Sequence, residues 1–167
     1  MSILVAYGSK QGGTAGLAEM VADALRREGF TVEVAPASAQ GRVEGYEAVI
    51  VGGALYAFRW HRDARRFIRR HTHVLCNIPT YFFSSGPLDA SASERDIAPI
   101  RSVRALMDRV GARGHATFGG RLTSDARGFL AHLMAKRNAG DWRDPTHVQS
   151  WTHAIAADLR APLRKGA

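Results

Sequence analysis

Apolar residues gather in five short runs. Ile3-Leu4-Val5-Ala6-Tyr7 is continuous, Thr31 to Ala35 alternates, and Ala48-Val49-Ile50-Val51 is continuous again up to Gly52-Gly53. Ile78 to Phe83 runs into Ser84-Ser85-Gly86-Pro87, and the weaker His115-Ala116-Thr117-Phe118 ends at Gly119-Gly120. Continuous runs of this length suit strands covered on both faces, and the alternating run suits a half-covered one.

Between the runs the apolar spacing shifts to that of a helix. Leu17, Met20, Val21, Ala24 and Leu25 fall on one face over 14–28, and Gly29 supplies the stop. Residues 62–71 read as a short arginine-rich helix burying Phe67 and Ile68. Ser91-x-x-Glu94 has the form of a capping box, opening a helix with Ile97, Ile100, Val103, Leu106, Met107 and Val110 on one side and closed by Gly111 and Gly114. Asp144-Pro145 places a cap and a first-turn proline before Val148, Trp151, Ile155 and Leu159. Strands that alternate with helices predict one α/β domain over 1–167, with a parallel sheet between two helical layers. Residues 121–143 exceed that minimal plan. Ala126, Phe129, Leu130, Leu133 and Met134, among Arg127, Lys136 and Arg137, predict an extra basic amphipathic helix on the domain edge; a membrane- or quinone-facing role is the alternative.

Composition narrows the setting. Hydrophobic content is 46%, the chain has one cysteine, and no apolar stretch approaches the ~20 residues of a membrane span. With a first strand from Ile3, no signal peptide is expected, and a reducing cytoplasm is the expected location. The net charge of +8 is uneven. Residues 1–50 carry four Lys/Arg against six acids, and residues 51–75 carry six arginines against Asp63. Such a surface favours an anionic substrate, an acidic redox partner or an anionic membrane. No recognised nucleic-acid motif accompanies the charge, so nucleic acid is not an expected partner.

Candidate chemistry sits in three turns after strands. Gly8-Ser9-Lys10-Gln11-Gly12-Gly13-Thr14 joins a strand to a helix, whose start has unpaired N–H groups and partial positive charge. Its spacing matches neither the Walker A nor the dinucleotide pattern, but glycines between two hydroxyl residues suit a terminal phosphate; an ordinary tight βα turn is the alternative. Gly52 to His61 reads as a loop holding Tyr56, Phe58 and Trp60, a density of aromatics suited to stacking on a flat heterocycle, with Gly52 and Gly53 making room for it; for any single ring, Tyr56 or Trp60, folding back into the core is the favoured alternative. Ser84-Ser85-Gly86-Pro87-Leu88-Asp89 is the third. Phosphate at one turn and a flat ring between the next two describe a mononucleotide flavin. His71-Thr72-His73 with His61 lacks the companions of a metal site and reads as a helix end. Cys76 is expected to be a buried, inert thiol.

The stretches 5–14, 49–56 and Ile78-Pro79 with the strand after it, the insertion before the last helix, and Gly140-Asp141 leading to Trp151 resemble the flavodoxin-like superfamily. Within it they are most similar to the menaquinone-dependent protoporphyrinogen IX dehydrogenase family. The resemblance implies a flavodoxin-like three-layer sandwich, a five-stranded parallel sheet in order 2-1-3-4-5, and non-covalent FMN. It implies phosphate contacts at Ser9, Gln11, Gly12, Gly13 and Thr14, with Lys10 an unusual charge among them. Ala54, Leu55, Tyr56, Ala57 and Phe58 would flank the ring, and Ser85, Gly86 and Pro87 would close its other side. The implied electron acceptor is a membrane quinone; a location peripheral to the inner face of the membrane rests on the 121–143 segment alone. Charge placement adds Arg59, Arg62 and Arg121 as a substrate rim. The chief expectation is therefore an FMN-dependent oxidoreductase. A flavodoxin-type electron carrier and a flavin-free binding module are the alternatives.

Overall fold

The computed structural model describes residues 1–9, 12–56, 58–86, 96–122 and 140–161. Lys10, Gln11, Ala57 and Pro87, the Ser91–Glu94 capping box and the Arg121 side chain lie outside the described residues, as does 123–139 of the expected extra helix.

Strands β1 (Ser2–Gly8), β2 (Thr31–Pro36), β3 (Ala48–Tyr56), β5 (Thr80–Ser85) and β6 (Gly114–Phe118) form a parallel sheet in spatial order β2-β1-β3-β5-β6. With the two-residue strand β4 (Arg59–Trp60) set aside, that is the expected order 2-1-3-4-5. Helices α1 (Gly13–Arg27) and α5 (Pro145–Arg160) cover one face; α2 (Arg62–Arg70) and α4 (Arg101–Val110) cover the other.

The sequence of β1 shows why both faces close. Ile3 and Val5 join the cluster under α1 and α5, while Leu4 and Ala6 join the cluster under α2 and α4; all four are fully buried. Successive strand side chains point to opposite faces, so a continuous apolar run feeds two cores at once. Burial of Ile3, Leu4 and Val5 contributes about 1.5–3 kcal/mol each. Asp144 caps α5 through Oδ1, accepting from Thr146 N at 2.9 Å, with Pro145 in the first turn.

Several expectations need correction. α4 starts at Arg101, and Ile97 and Ile100 precede it; Ile100 is extended, at ψ 157°. Pro99 supplies no N–H and disfavours helical backbone at Ala98, so the apolar period continues through a segment that cannot wind. The fourth parallel strand runs over Thr80–Ser85 and leaves out Ile78 and Pro79, the proline having no N–H for a central ladder; an additional helix, α3 (Thr72–Leu75), follows His71. Cys76 ends that helix at the surface and is exposed, with Sγ 3.5 Å from the Arg109 carbonyl. The ends of the expected 121–143 helix are strands: β7 (Arg121–Leu122) pairs antiparallel with β8 (Gly140–Asp141). Among the described residues no helix is long and apolar enough to cross a membrane.

Candidate functional site

Three strand ends meet at one edge of the sheet. Gly8 lies opposite Gly53, Gly53 opposite Ser84, and Ala54 opposite Ser85. Strand order reverses at β1, whose neighbours are β2 and β3, and ligands of open parallel sheets sit beyond the carboxyl ends at that reversal. The three turns singled out in the sequence are therefore adjacent in space.

The turn after β1 ends at Gly12, whose φ of 73° is a left-handed conformation suited to glycine. Gly12 caps α1 with no side-chain hydrogen bond, and the first amide bonded back is Gly16 N, 3.1 Å from Gly12 O. The N–H groups of the first turn thus have no intrahelical acceptor. Thr14 is 1% exposed, yet among the described residues its Oγ1 has no hydrogen-bond partner. A buried orphan hydroxyl costs about 1–3 kcal/mol unless an acceptor reaches it. The bare helix start and the orphan hydroxyl fit a phosphate. Gly8 has a different role, which the sequence reading missed. A Cβ there would lie 2.7 Å from Ala64 N, so the glycine lets α2 pack against the end of β1.

The second turn is shorter than expected. Gly52 through Tyr56 continue β3, which folds back as a hairpin on β4, with Tyr56 opposite Arg59. Gly52 and Gly53 do not leave room for a heterocycle. A Cβ on Gly52 would meet the Phe83 ring at 2.1 Å, and one on Gly53 the Trp60 ring at 2.3 Å. Both glycines accommodate the protein's own aromatics. Trp60 is 2% exposed and packs on Phe82 at 5.0 Å between centroids, so it belongs to the core. Tyr56 and Phe58 remain at the hairpin tip, 39% and 86% exposed. Phe58 has φ 60°, a left-handed conformation costing about 1–2 kcal/mol for a residue with a side chain. Ser102 Oγ donates to its carbonyl at 3.0 Å and fastens the tip to the start of α4. Ala54 is buried and Leu55 partly so.

At the third turn Ser84 and Ser85 are still within β5, buried, and Gly86 follows at φ 117° with its N donating to Phe118 O at 3.0 Å. Sequence reasoning missed the network behind them. Trp60 Nε1 donates to Ser84 Oγ at 2.9 Å, and Ser84 Oγ lies 2.9 Å from His115 Nε2. Burial pushes the His115 pKa down to about 4, with Asp96 opposing and Arg104 reinforcing the shift. His115 is therefore neutral at pH 7. Only the aromatic content of 56–60 hinted that a polar partner was needed inside.

Arg59 and Arg62 are exposed, and α2 adds Arg66, Arg69 and Arg70 on its solvent side. His61 caps α2 through Nδ1, and His71 ends it against Phe67. Among the described residues no histidine, cysteine and carboxylate group is arranged to hold a metal.

A family model described as a flavodoxin domain matches residues 4–140. Rubredoxin:oxygen oxidoreductase from Desulfovibrio gigas superposes with a TM-score of 0.66 at 15% identity, covering 98% of this chain and 37% of that one. A cysteine mutant of flavodoxin from Pseudomonas aeruginosa gives 0.61 at 15% identity, covering 96% of this chain and 100% of its own. A flavo di-iron protein mutant from Thermotoga maritima gives 0.63 at 16%, covering 95% and 36%. The chain thus spans little more than a third of the two larger proteins. At these identities the likeness is one of fold.

Proposed function

The chain belongs to the flavodoxin-domain family, and on that premise we propose that it is an FMN-dependent oxidoreductase acting on an anionic substrate. Family membership implies FMN, and the site's own chemistry supports it. The carrying observation is the buried hydroxyl of Thr14, without a partner among the described residues, at the uncapped start of α1, one strand away from an exposed aromatic hairpin. Thr14, the first-turn amides of α1 and Ser9 would hold the phosphate. Tyr56 and Phe58 are the aromatics free to flank the ring, with Ser85 and Gly86 on its other side. Bound there, the flavin supplies electron or hydride transfer.

The chain's own residues position and select. Arg59 beside Tyr56, and Arg62 at the start of α2, would bind carboxylates near the exposed ring edge. A porphyrinogen, through its carboxylates, suits that rim as reductant, and a membrane quinone is the acceptor that the sequence resemblance implies. With such an acceptor the protein would work at the inner face of the membrane, peripherally bound. The basic surface favours an enzyme over a simple carrier.

Titration of the purified apo-chain with FMN tests the first half: a shifted, saturable visible spectrum is expected, and none would leave a flavin-free binding module. Anaerobic addition of protoporphyrinogen IX and a menaquinone analogue tests the second. Turnover that weakens in Arg59→Glu and Arg62→Glu through KM supports the enzyme. Flavin reduction by an acidic redox protein, without porphyrinogen turnover, identifies an electron carrier instead.

A further inference from the structure

We propose that Arg143 is the cation that completes the anion site at the start of α1, so that this chain reads the phosphate of its cofactor with a guanidinium as well as with amides and hydroxyls. The proposal rests on the flavin reading above and names a residue outside the three turns that reading uses.

Arg143 lies between β8 and α5, far in sequence from α1. Its Nε lies 2.7 Å from Asp141 Oδ1, its Nη2 pairs with Asp141 Oδ2, and its backbone N donates to Oδ1 at 3.2 Å. Two nitrogens of the fork are thus fixed, and the third is directed at α1. A Cβ built on Gly16 would sit 2.2 Å from Nη1. Helical Cα–Cβ bonds tilt toward the N-terminus, so the space that Nη1 fills overlies the first turn of α1. The side chain is only 16% exposed, so its charge is poorly screened by water.

Two features are otherwise without a reason. Gly16 stands inside a helix, where glycine costs about 1 kcal/mol relative to alanine; here only glycine leaves space for the guanidinium. Arg143 also stands at the positive end of a helix whose first turn has no acidic residue, the wrong end for a cation. Asp141 offsets that charge in the free protein. A phosphate at the helix start turns the misplaced charge into an attraction and supplies the acceptor that Thr14 Oγ1 lacks. The surroundings keep Arg143 in place. Gly119 packs against the backbone of Trp142, the β7–β8 ladder precedes Arg143, and β7 touches α1.

The test compares FMN with riboflavin, which lacks the phosphate, by fluorescence titration of the apo-chain. Arg143→Gln keeps a polar group near Asp141 and removes the charge. It should weaken FMN by roughly tenfold or more and leave riboflavin within about twofold. Gly16→Ala favours the helix while displacing the guanidinium, so it should give the same selective loss without a folding defect; Arg143→Lys should restore part of the FMN affinity. Equal weakening of both flavins would make Arg143 a structural brace, and unchanged binding of both would make it a bystander; either result overturns the proposal. If the wild-type chain takes up FMN and the variants match it, this inference alone fails. If the wild-type chain takes up neither flavin, the flavin reading fails and this inference goes with it.

Discussion

The indole N–H of Trp60 is bonded to the hydroxyl of Ser84 at 2.9 Å inside the core, one layer behind the exposed rings of Tyr56 and Phe58. The bond separates the aromatics of this segment by role. Trp60→Phe should destabilise the fold by about 1–3 kcal/mol, from the lost bond and the void left by the smaller ring. It should change FMN affinity less than Tyr56→Ala or Phe58→Ala does. Urea unfolding and flavin titration of the three variants check this, and a Trp60 variant with the largest binding defect would put the indole at the ligand.

Ser84 Oγ accepts from Trp60 Nε1 and lies 2.9 Å from His115 Nε2, which ties the imidazole into the same buried network. The His115 pKa falls from 6.5 in the unfolded chain to about 4 in the fold. Between those values the unfolded state binds the extra proton, so stability should decline as pH drops from 6.5 toward 4, by an amount on the order of 2–3 kcal/mol. Above pH 6.5 this residue should contribute no slope. Chemical denaturation of the wild type and His115→Gln across pH 4–8 checks it. A wild-type curve no steeper than the variant's between pH 4 and 6.5 would contradict the assignment.

Thr14→Val should move stability and binding in opposite directions. The valine has the shape of threonine without the orphan hydroxyl, so the flavin-free chain should gain up to about 1 kcal/mol. FMN affinity should fall roughly tenfold. Thermal melts without ligand, paired with flavin titration, read both signs. A less stable apo-variant would mean that the hydroxyl has a partner in the folded chain.

Gly53→Ala should destabilise by about 1–3 kcal/mol or more, because its methyl would meet the Trp60 ring at 2.3 Å in a filled core. Gly41→Ala is the control. Nothing lies within 4 Å of a Cβ there, its φ is outside the left-handed range, and the change should be neutral or stabilising by about 0.4–1 kcal/mol. Equal midpoints for the two variants in urea would show that the β3 glycines tolerate a side chain.

The frame of the molecule was legible because the 3–7 and 48–51 runs are buried on both faces, and only a sheet between two helical layers buries them so. The uncapped start of α1 was legible for a similar reason: a glycine-rich turn ahead of a helical apolar period is a local property of sequence. The aromatic turn was less so. Periodicity does not separate a glycine beside a ligand from a glycine beside its own tryptophan, and here the space at 52 and 53 goes to Phe83 and Trp60. Ile97 and Ile100 kept a helical period across Pro99, where backbone geometry overrides side-chain pattern. Cys76 read as interior because an apolar stretch follows it, yet the α3 turn carries it to the surface. Arg143 could not be found at all, since only the folded chain brings residue 143 over residue 16.

The small ladder in which Arg121 faces Asp141 and Leu122 faces Gly140 also makes the chain modular at that point. Its two strands bring the departing and returning backbone side by side, and the entropy of closing a loop rises only slowly with length. A change of length between Leu122 and Gly140 should therefore leave the order of the main sheet as it is, at small entropic cost.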